Sequence, residues 1–234
     1  MVNLNAIGDI VRKVPYFDNL DDTALVNLTR RVRARSYSPG EAILIEGLAC
    51  EGLSFVISGH VRVYRSTPDG REQVLRVVGP GRTFNDAAAL DEGLSAESAM
   101  ALGPVTVGLI PSATLRVLFR QHPEVPLAAT RLMATRQRAL AHMVEALAMR
   151  DITARVARLL LGCVGQHEDM VEGAPDACAR ITQQEIATMI GSVREVVQRA
   201  LKKLEKAGAI EVERTRIRVV DMNALERFSE APSD

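Results

Sequence analysis

Near residue 123 the hydrophobic period of this chain switches from that of strands to that of a helix. Between Glu41 and Pro111 the apolar residues come in short or alternating runs: EAILIE, LSFVIS, HVRVYRS, EQVLRVV and PVTVGLI. Pro39-Gly40, Gly47, Gly59, Pro68-Asp69-Gly70, Gly79-Pro80-Gly81 and Gly103-Pro104 punctuate them. Glycine reaches positive φ and proline pre-sets the bend, so each break predicts a reversal between strands. Many short strands at this spacing imply an antiparallel barrel or a double-sheet jelly roll. Beyond Pro123, EVPLAATRLMATRQRALAHMVEALAM lacks glycine, and its one proline falls where a first helical turn tolerates a missing N–H. Ahead of the strands, DDTALVNLTRRVR, around Asp21 to Arg33, has helical periodicity with acidic residues at its start.

The long helix carries a seam. Met133, Leu140 and Leu147 repeat every seven residues, with Leu132, Met143 and Val144 in the adjacent stripe. An apolar stripe over two heptads calls for a partner, and the economical one is the same helix of a second chain. Asp151 then serves as N-cap for DITARVARLLLGCV and marks a hinge, and the polar stretch GQHEDMVEGAPDACA reads as a loop. The expected organisation is α+β. It places an antiparallel β jelly-roll barrel over 1–122, a dimerisation helix over 123–150, and a last unit over 151–234.

That last unit carries the function. Thr182 with Glu185 has the form of a capping box and opens a short helix that Gly191 ends. Ser192 is expected to cap a second helix, VREVVQRALKKLEKAG, which Gly208 ends. Two helices joined by a glycine-containing turn form a helix-turn-helix. Val193, Val197, Ala200, Leu201 and Leu204 make the stripe predicted to be buried. Arg194, Glu195, Gln198 and Arg199 project from the other side, where a recognition helix meets base edges, and Lys202, Lys203 and Lys206 continue towards phosphates. Thr182, Gln183 and Ser192, at the helix entries, complete the expected contacts to double-stranded DNA. AIEVER and TRIRVVD can pair as a wing.

Charge at first argues against such a partner, since 29 basic and 29 acidic side chains cancel. The cancellation is regional. From Arg180 to Arg218 there are nine basic and five acidic residues, a net of +4, so the rest of the chain sums to −4. Seven of the eight aromatic residues precede residue 120, and only Phe228 follows, which argues against base stacking on single strands by the C-terminal part. No apolar run approaches the roughly 20 residues of a membrane span, and the N-terminus lacks a basic n-region, so a cytoplasmic chain with no membrane partner is expected. Cys50, Cys163 and Cys178 are odd in number and never spaced as CxxC, which argues against a disulfide framework or a thiolate cage.

The order of barrel, long helix, hinge Asp and winged helix-turn-helix resembles the CRP/FNR family of bacterial transcription regulators. The resemblance spans nearly the whole chain. It is carried most specifically by ITQQEIATMIGSVREVVQRALKKLEKAGAI and LSFVISGHVRVYRSTPDGREQVLRVVGPGRTF. In that family the recognition helix holds a Glu and, four residues on, an Arg, matching Glu195 and Arg199; the catabolite-activator branch adds an Arg matching Arg194. The resemblance thus implies a homodimer on a palindromic operator with TGTGA-like half-sites, contacting RNA polymerase if it activates. Arg194 and Arg199 would each read a guanine and Glu195 a cytosine amino group. Gln198 departs from both branches.

The family's barrel often binds a cyclic nucleotide, with a Glu on the ribose and an Arg on the phosphate. Here the turn is Phe84-Asn85-Asp86-Ala87, so Asp86 could accept from a ribose, but Ala96 or Glu97, followed by Ser98, falls where the arginine belongs. A carboxylate repels a phosphate. The adenine-contacting Thr-Ser pair of the long helix is replaced by Leu140-Ala141. Both losses argue against cyclic AMP as effector. An iron–sulfur cluster needs four thiolates, and the chain has three cysteines. Haem stays open, with His60, His142 or Cys50 as axial ligands, against outward-facing or turn roles for each. Cys163 and Cys178 read as inert thiols before redox switches. Two alternatives remain besides haem: a regulator whose barrel has lost its ligand, and a cupin-type enzyme, for which His60, His122, His142 and His167 are too isolated.

Overall fold

Alternation along β3 (Gly52–Ser58) builds the first half of the protein. Leu53, Phe55 and Ile57 pack in one cluster while Val56 packs in another, because successive strand side chains face opposite sides. The computed structural model describes residues 4–70, 72–165, 171–172, 181–213 and 216–230. The chain divides into two units, one of Met1–Arg65 with Val78–Arg136 and one of Ser66–Val77 with Gln137–Asp234.

In the first unit, β1 (Arg33–Tyr37), β8 (Val105–Pro111), β3 and β6 (Thr83–Phe84) form one antiparallel sheet in that order. β2 (Ala42–Leu44) pairs with β7 (Ser98–Ala101), which pairs with β4 (Val61–Ser66). Between the sheets lie Val56, Val61, Val63, Phe84, Ala99, Val105 and Val107. Outside, α1 (Leu4–Val11), α2 (Asp22–Thr29), α4 (Ser112–Gln121) and the start of α5 (Glu124–Met149) cover Leu53, Phe55 and Ile110. The approach is close at Gly108, register partner of Phe55, where a Cβ would stand 2.4 Å from the ring. The short α3 (Asp86–Asp91) begins at Asn85, whose φ of +59° is left-handed.

In the second unit, α6 (Ile152–Cys163) is capped by Asp151, whose carboxylate accepts from the Ala154 N–H at 2.7 Å. Around α6 pack α7 (Gln183–Ile190), α8 (Arg194–Lys206) and α9 (Met222–Glu230). β10 (Ile210–Val212) and β11 (Ile217–Val219) form an antiparallel hairpin. β5 (Glu72–Val78) lies in this unit for all but its last residue, and β9 (Val171–Glu172) pairs with it.

Several expectations are corrected. The helix expected to Arg33 ends at Thr29, and Arg33–Tyr37 is a strand, its polar sequence RARSY hiding an exposed edge position. The stretch expected as loop holds β9, while His167 and Cys178 lie outside the described residues. Cys163 is disulfide-bonded rather than an inert thiol.

Candidate functional site

The helix pair of the second unit is fixed by local chemistry. Thr182 Oγ1 accepts from the Glu185 N–H at 3.2 Å, and the Glu185 carboxylate accepts from the Thr182 N–H at 2.6 Å. Each bond satisfies a donor that a helix start leaves orphaned. At the other end of α7, Gly191 takes φ +66° and Ser192 N–H donates to the Ala187 carbonyl at 2.9 Å. A Cβ at residue 191 would meet Gln73 Oε1 at 2.8 Å and Leu147 Cδ2 at 3.3 Å, so glycine is required for space as well as for φ.

Side chains grip this turn from behind. Gln73 Nε2 donates to the Met189 carbonyl at 3.0 Å, and Arg155 Nη1 donates to the Ile190 carbonyl at 2.7 Å. Both carbonyls belong to the last turn of α7, which has no intrahelical donors left. Burial lowers the Arg155 pKa, with the Asp151 charge opposing the shift. Nothing local in the sequence links Gln73 to this turn; the two are 116 residues apart.

α8 begins at Arg194 with Val193 extended at the N-cap, φ −116° and ψ 154°, and no side-chain cap. Ser192 therefore does not cap α8, and Val193, 57% exposed, is not in the buried stripe. The physical reason is that Gly191 and Ser192 are consumed in closing α7, so the chain enters α8 after Val193. Val197, Ala200, Leu201 and Leu204 are buried as the spacing predicts.

On the opposite face Arg194, Glu195, Gln198, Arg199 and Lys202 are exposed. Among the described residues none of the five makes a side-chain hydrogen bond or ion pair, so their polar ends are available to a ligand. Lys203 stands 3.7 Å from Asp151. Lys203 and Lys206 occupy the last turn, where cations complement the helix dipole. Thr182 is exposed, and Gln183 and Ser192 are half-buried. Glu205 accepts from the Val212 N–H at 3.1 Å and ties the hairpin to α8. A projecting helix with two free guanidinium forks, a carboxylate and a lysine row can grip phosphates and read base edges in a major groove.

On α5, Leu140, Val144 and Leu147 are 50, 66 and 41% exposed, and Met133 and Met143 are half-buried. The seam thus leaves large aliphatic side chains uncovered.

In the first unit Phe84, Asn85, Asp86 and Ser98 are buried. The Glu97 carboxylate accepts from the Asn85 N–H at 3.0 Å, bringing the two expected stretches together. Ser98 Oγ accepts from the Glu46 N–H at 3.0 Å. Asp86 is not open to a ribose. It accepts from Tyr16 Oη at 2.7 Å and is paired with Arg136, whose Nη2 also donates to the Thr83 carbonyl at 2.7 Å. Sequence reading missed Tyr16 and Arg136. The Asp86 carboxylate is thus occupied by Tyr16 and Arg136, and the Glu97 carboxylate sits on the N–H at the turn. Leu140, the remaining expected pocket residue, lies on α5 in the second unit.

The proposed haem ligands differ in setting. The Cys50 thiol donates to the Gly52 carbonyl, and burial raises its pKa, the reverse of what a thiolate ligand needs. His60 is half-buried; His142 is exposed, 3.4 Å from Arg158. Among the described residues no three His, Cys, Asp or Glu side chains are grouped to hold a metal, and no helix is long and apolar enough to cross a membrane.

Residues 34–122 match the family described as "Cyclic nucleotide-binding domain", and residues 154–228 match "Crp-like helix-turn-helix domain". The chain is 34% identical to the "cAMP-activated global transcriptional regulator Vfr" of Pseudomonas aeruginosa, over 86% of this chain and 94% of that one. It is 28% identical to a "CRP-like cAMP-activated global transcriptional regulator" of Mycobacterium tuberculosis, over 94 and 99%. Among solved structures, a CRP-family transcriptional regulator from Thermus thermophilus superposes with a TM-score of 0.66 at 27% identity, covering 84 and 97% of the chains.

Proposed function

The chain belongs to the CRP/FNR family of DNA-binding transcription regulators, and from that premise we propose that it acts as a homodimer on a palindromic operator with TGTGA-like half-sites. Its relatives are named as transcriptional regulators, so it is not read as an enzyme. The carrying observation is the free face of α8, where Arg194, Glu195 and Arg199 project together and the buried stripe lies behind them. Arg194 and Arg199 each donate two hydrogen bonds to a guanine, Glu195 accepts from a cytosine amino group, and Lys202 holds phosphate. Thr182, Gln183 and Ser192 add contacts at the helix entries.

The uncovered seam of Met133, Leu140, Met143, Val144 and Leu147 supports pairing through residues 123–150, between a sensor of 1–122 and a DNA-binding domain of 151–234. The cytoplasm is the expected location, with RNA polymerase a partner if the protein activates. Cyclic AMP activates its named relatives; the occupied Asp86 and the Glu97–Asn85 bond favour another effector here, or none. Selection from randomised duplexes tests the reading. Enrichment of an inverted repeat of TGTGA-like half-sites supports it, and enrichment of no sequence refutes it.

A further inference from the structure

A half-open cavity of about 410 Å³ in the first unit is lined by residues of β1, β2, β3 and β8 and the loops beside them. That is within the usual range of about 300–1,000 Å³ for small-molecule sites. Its walls include Ile43, Leu44, Val107 and Leu109. Three exposed aliphatic side chains lie at or beside the mouth. Ile45 and Leu48 line it at 54 and 57% exposure, and Leu94, 63% exposed, is joined to the lining residue Ala49 by a β-bridge.

Glu51, Ser54, Asn85, Ser95 and two cations break this apolar pattern. On β1, Arg33 pairs with Leu109 and Arg35 with Val107 in an antiparallel register, and directly opposed residues share a face. Val107 belongs to the interior cluster, so both arginines stand on the strand face that looks into the barrel, and both line the cavity. Arg35 lies 3.8 Å from Glu41 and stacks 4.9 Å from the Tyr37 ring centre. Arg33 has no side-chain hydrogen bond or ion pair among the described residues. Burial raises the Tyr37 pKa, so the phenol beside them stays neutral. Glu51 also lines the cavity and offsets part of the positive charge. Neither Asp86 nor Arg136 lines it.

We propose that this cavity binds a medium-chain apolar monocarboxylate, its carboxylate held by Arg33 and Arg35 and its chain laid against Leu44, Val107 and Leu109. The inference deepens the reading of the first unit as a sensor and rests on it. A guanidinium fork suits a carboxylate, and the aliphatic rim and walls suit an acyl chain. The competing role for these arginines is that inward-pointing charge on an edge strand merely discourages pairing with another sheet.

Octanoate is the probe, titrated into the full-length protein by calorimetry with 1-octanol as uncharged control. One saturable octanoate site is expected, about tenfold weaker in R33E/R35E and about tenfold weaker for octanol. Both arginines are exposed, so the double variant keeps its unfolding midpoint; Val107→Phe, which fills the cavity, abolishes binding from the other wall. Absence of saturable binding, or equal affinity in R33E/R35E, overturns the site and leaves the sensor reading standing. Saturable binding that leaves operator affinity unchanged upholds the site and overturns the sensor reading.

Discussion

Tyr16 donates its phenolic hydrogen to Asp86 across 2.7 Å, although seventy residues separate them in the chain. Both are buried, and the same carboxylate neutralises Arg136, whose side chain is only 12% exposed. The connection between α1 and α2, the start of α3 and the long helix α5 are thus pinned at one ion pair. Removing Asp86 would leave a nearly buried cation without its counter-charge. Asp86→Ala should therefore destabilise the first unit by about 3–5 kcal/mol, and Tyr16→Phe by about 1.5–3 kcal/mol. Urea unfolding followed by circular dichroism measures both, and a cost under about 1 kcal/mol for Asp86→Ala would contradict a structural role for the pair.

The same occupancy bears on ligand choice. With Asp86 engaged and the Glu97 carboxylate on the Asn85 N–H, cyclic AMP meets a filled acceptor and a like charge. Calorimetric titration should show no binding. Micromolar affinity would refute the argument.

On α8 the two kinds of cation should separate experimentally. Arg199→Ala is expected to cost about 1–3 kcal/mol of operator affinity and to relax preference at one base pair. Lys202→Ala should weaken all sequences alike and lower the salt slope by roughly one. A mobility-shift series over single-base operator variants distinguishes them; unchanged preference in Arg199→Ala would remove α8 from the role of recognition helix.

Gly191 closes α7 with φ +66° and no room for a methyl group beside Gln73. Gly191→Ala should lower stability of the second unit by about 1–2 kcal/mol through the left-handed conformation alone. Thermal unfolding gives the value. Gln73→Ala, which frees the Met189 carbonyl and leaves the glycine untouched, should cost about 1 kcal/mol. A larger loss in Gln73→Ala than in Gly191→Ala would show that the grip, not the turn, dominates.

What was readable in the sequence was what is local. The Thr182–Glu185 capping box, Gly191, Asp151 and the hairpin after Gly208 each act within a few residues, and each forms the structure its spacing predicts. The structure departs from the pattern where the apolar stripe continues past the start of α8, as at Val193, and where a strand carries polar residues at a sheet edge, as in RARSY. Tyr16, Arg136 and Gln73 left no trace, because each acts across 50 residues or more. Long-range pairing of single polar side chains has no period to detect.

In the function proposed above, two copies of this chain read two half-sites through α8. Fluorescence anisotropy with a palindromic duplex, a single half-site and a scrambled duplex tests it most directly, on the native chain and on L140E/V144E, which places charge on the exposed seam. The native chain should bind the palindrome at two chains per duplex, with the half-site and the scrambled duplex at least about a hundredfold weaker. L140E/V144E should sediment as a monomer and bind the palindrome no better than the half-site. Equal affinity for all three duplexes, or undiminished palindrome binding by a monomeric variant, would contradict the account.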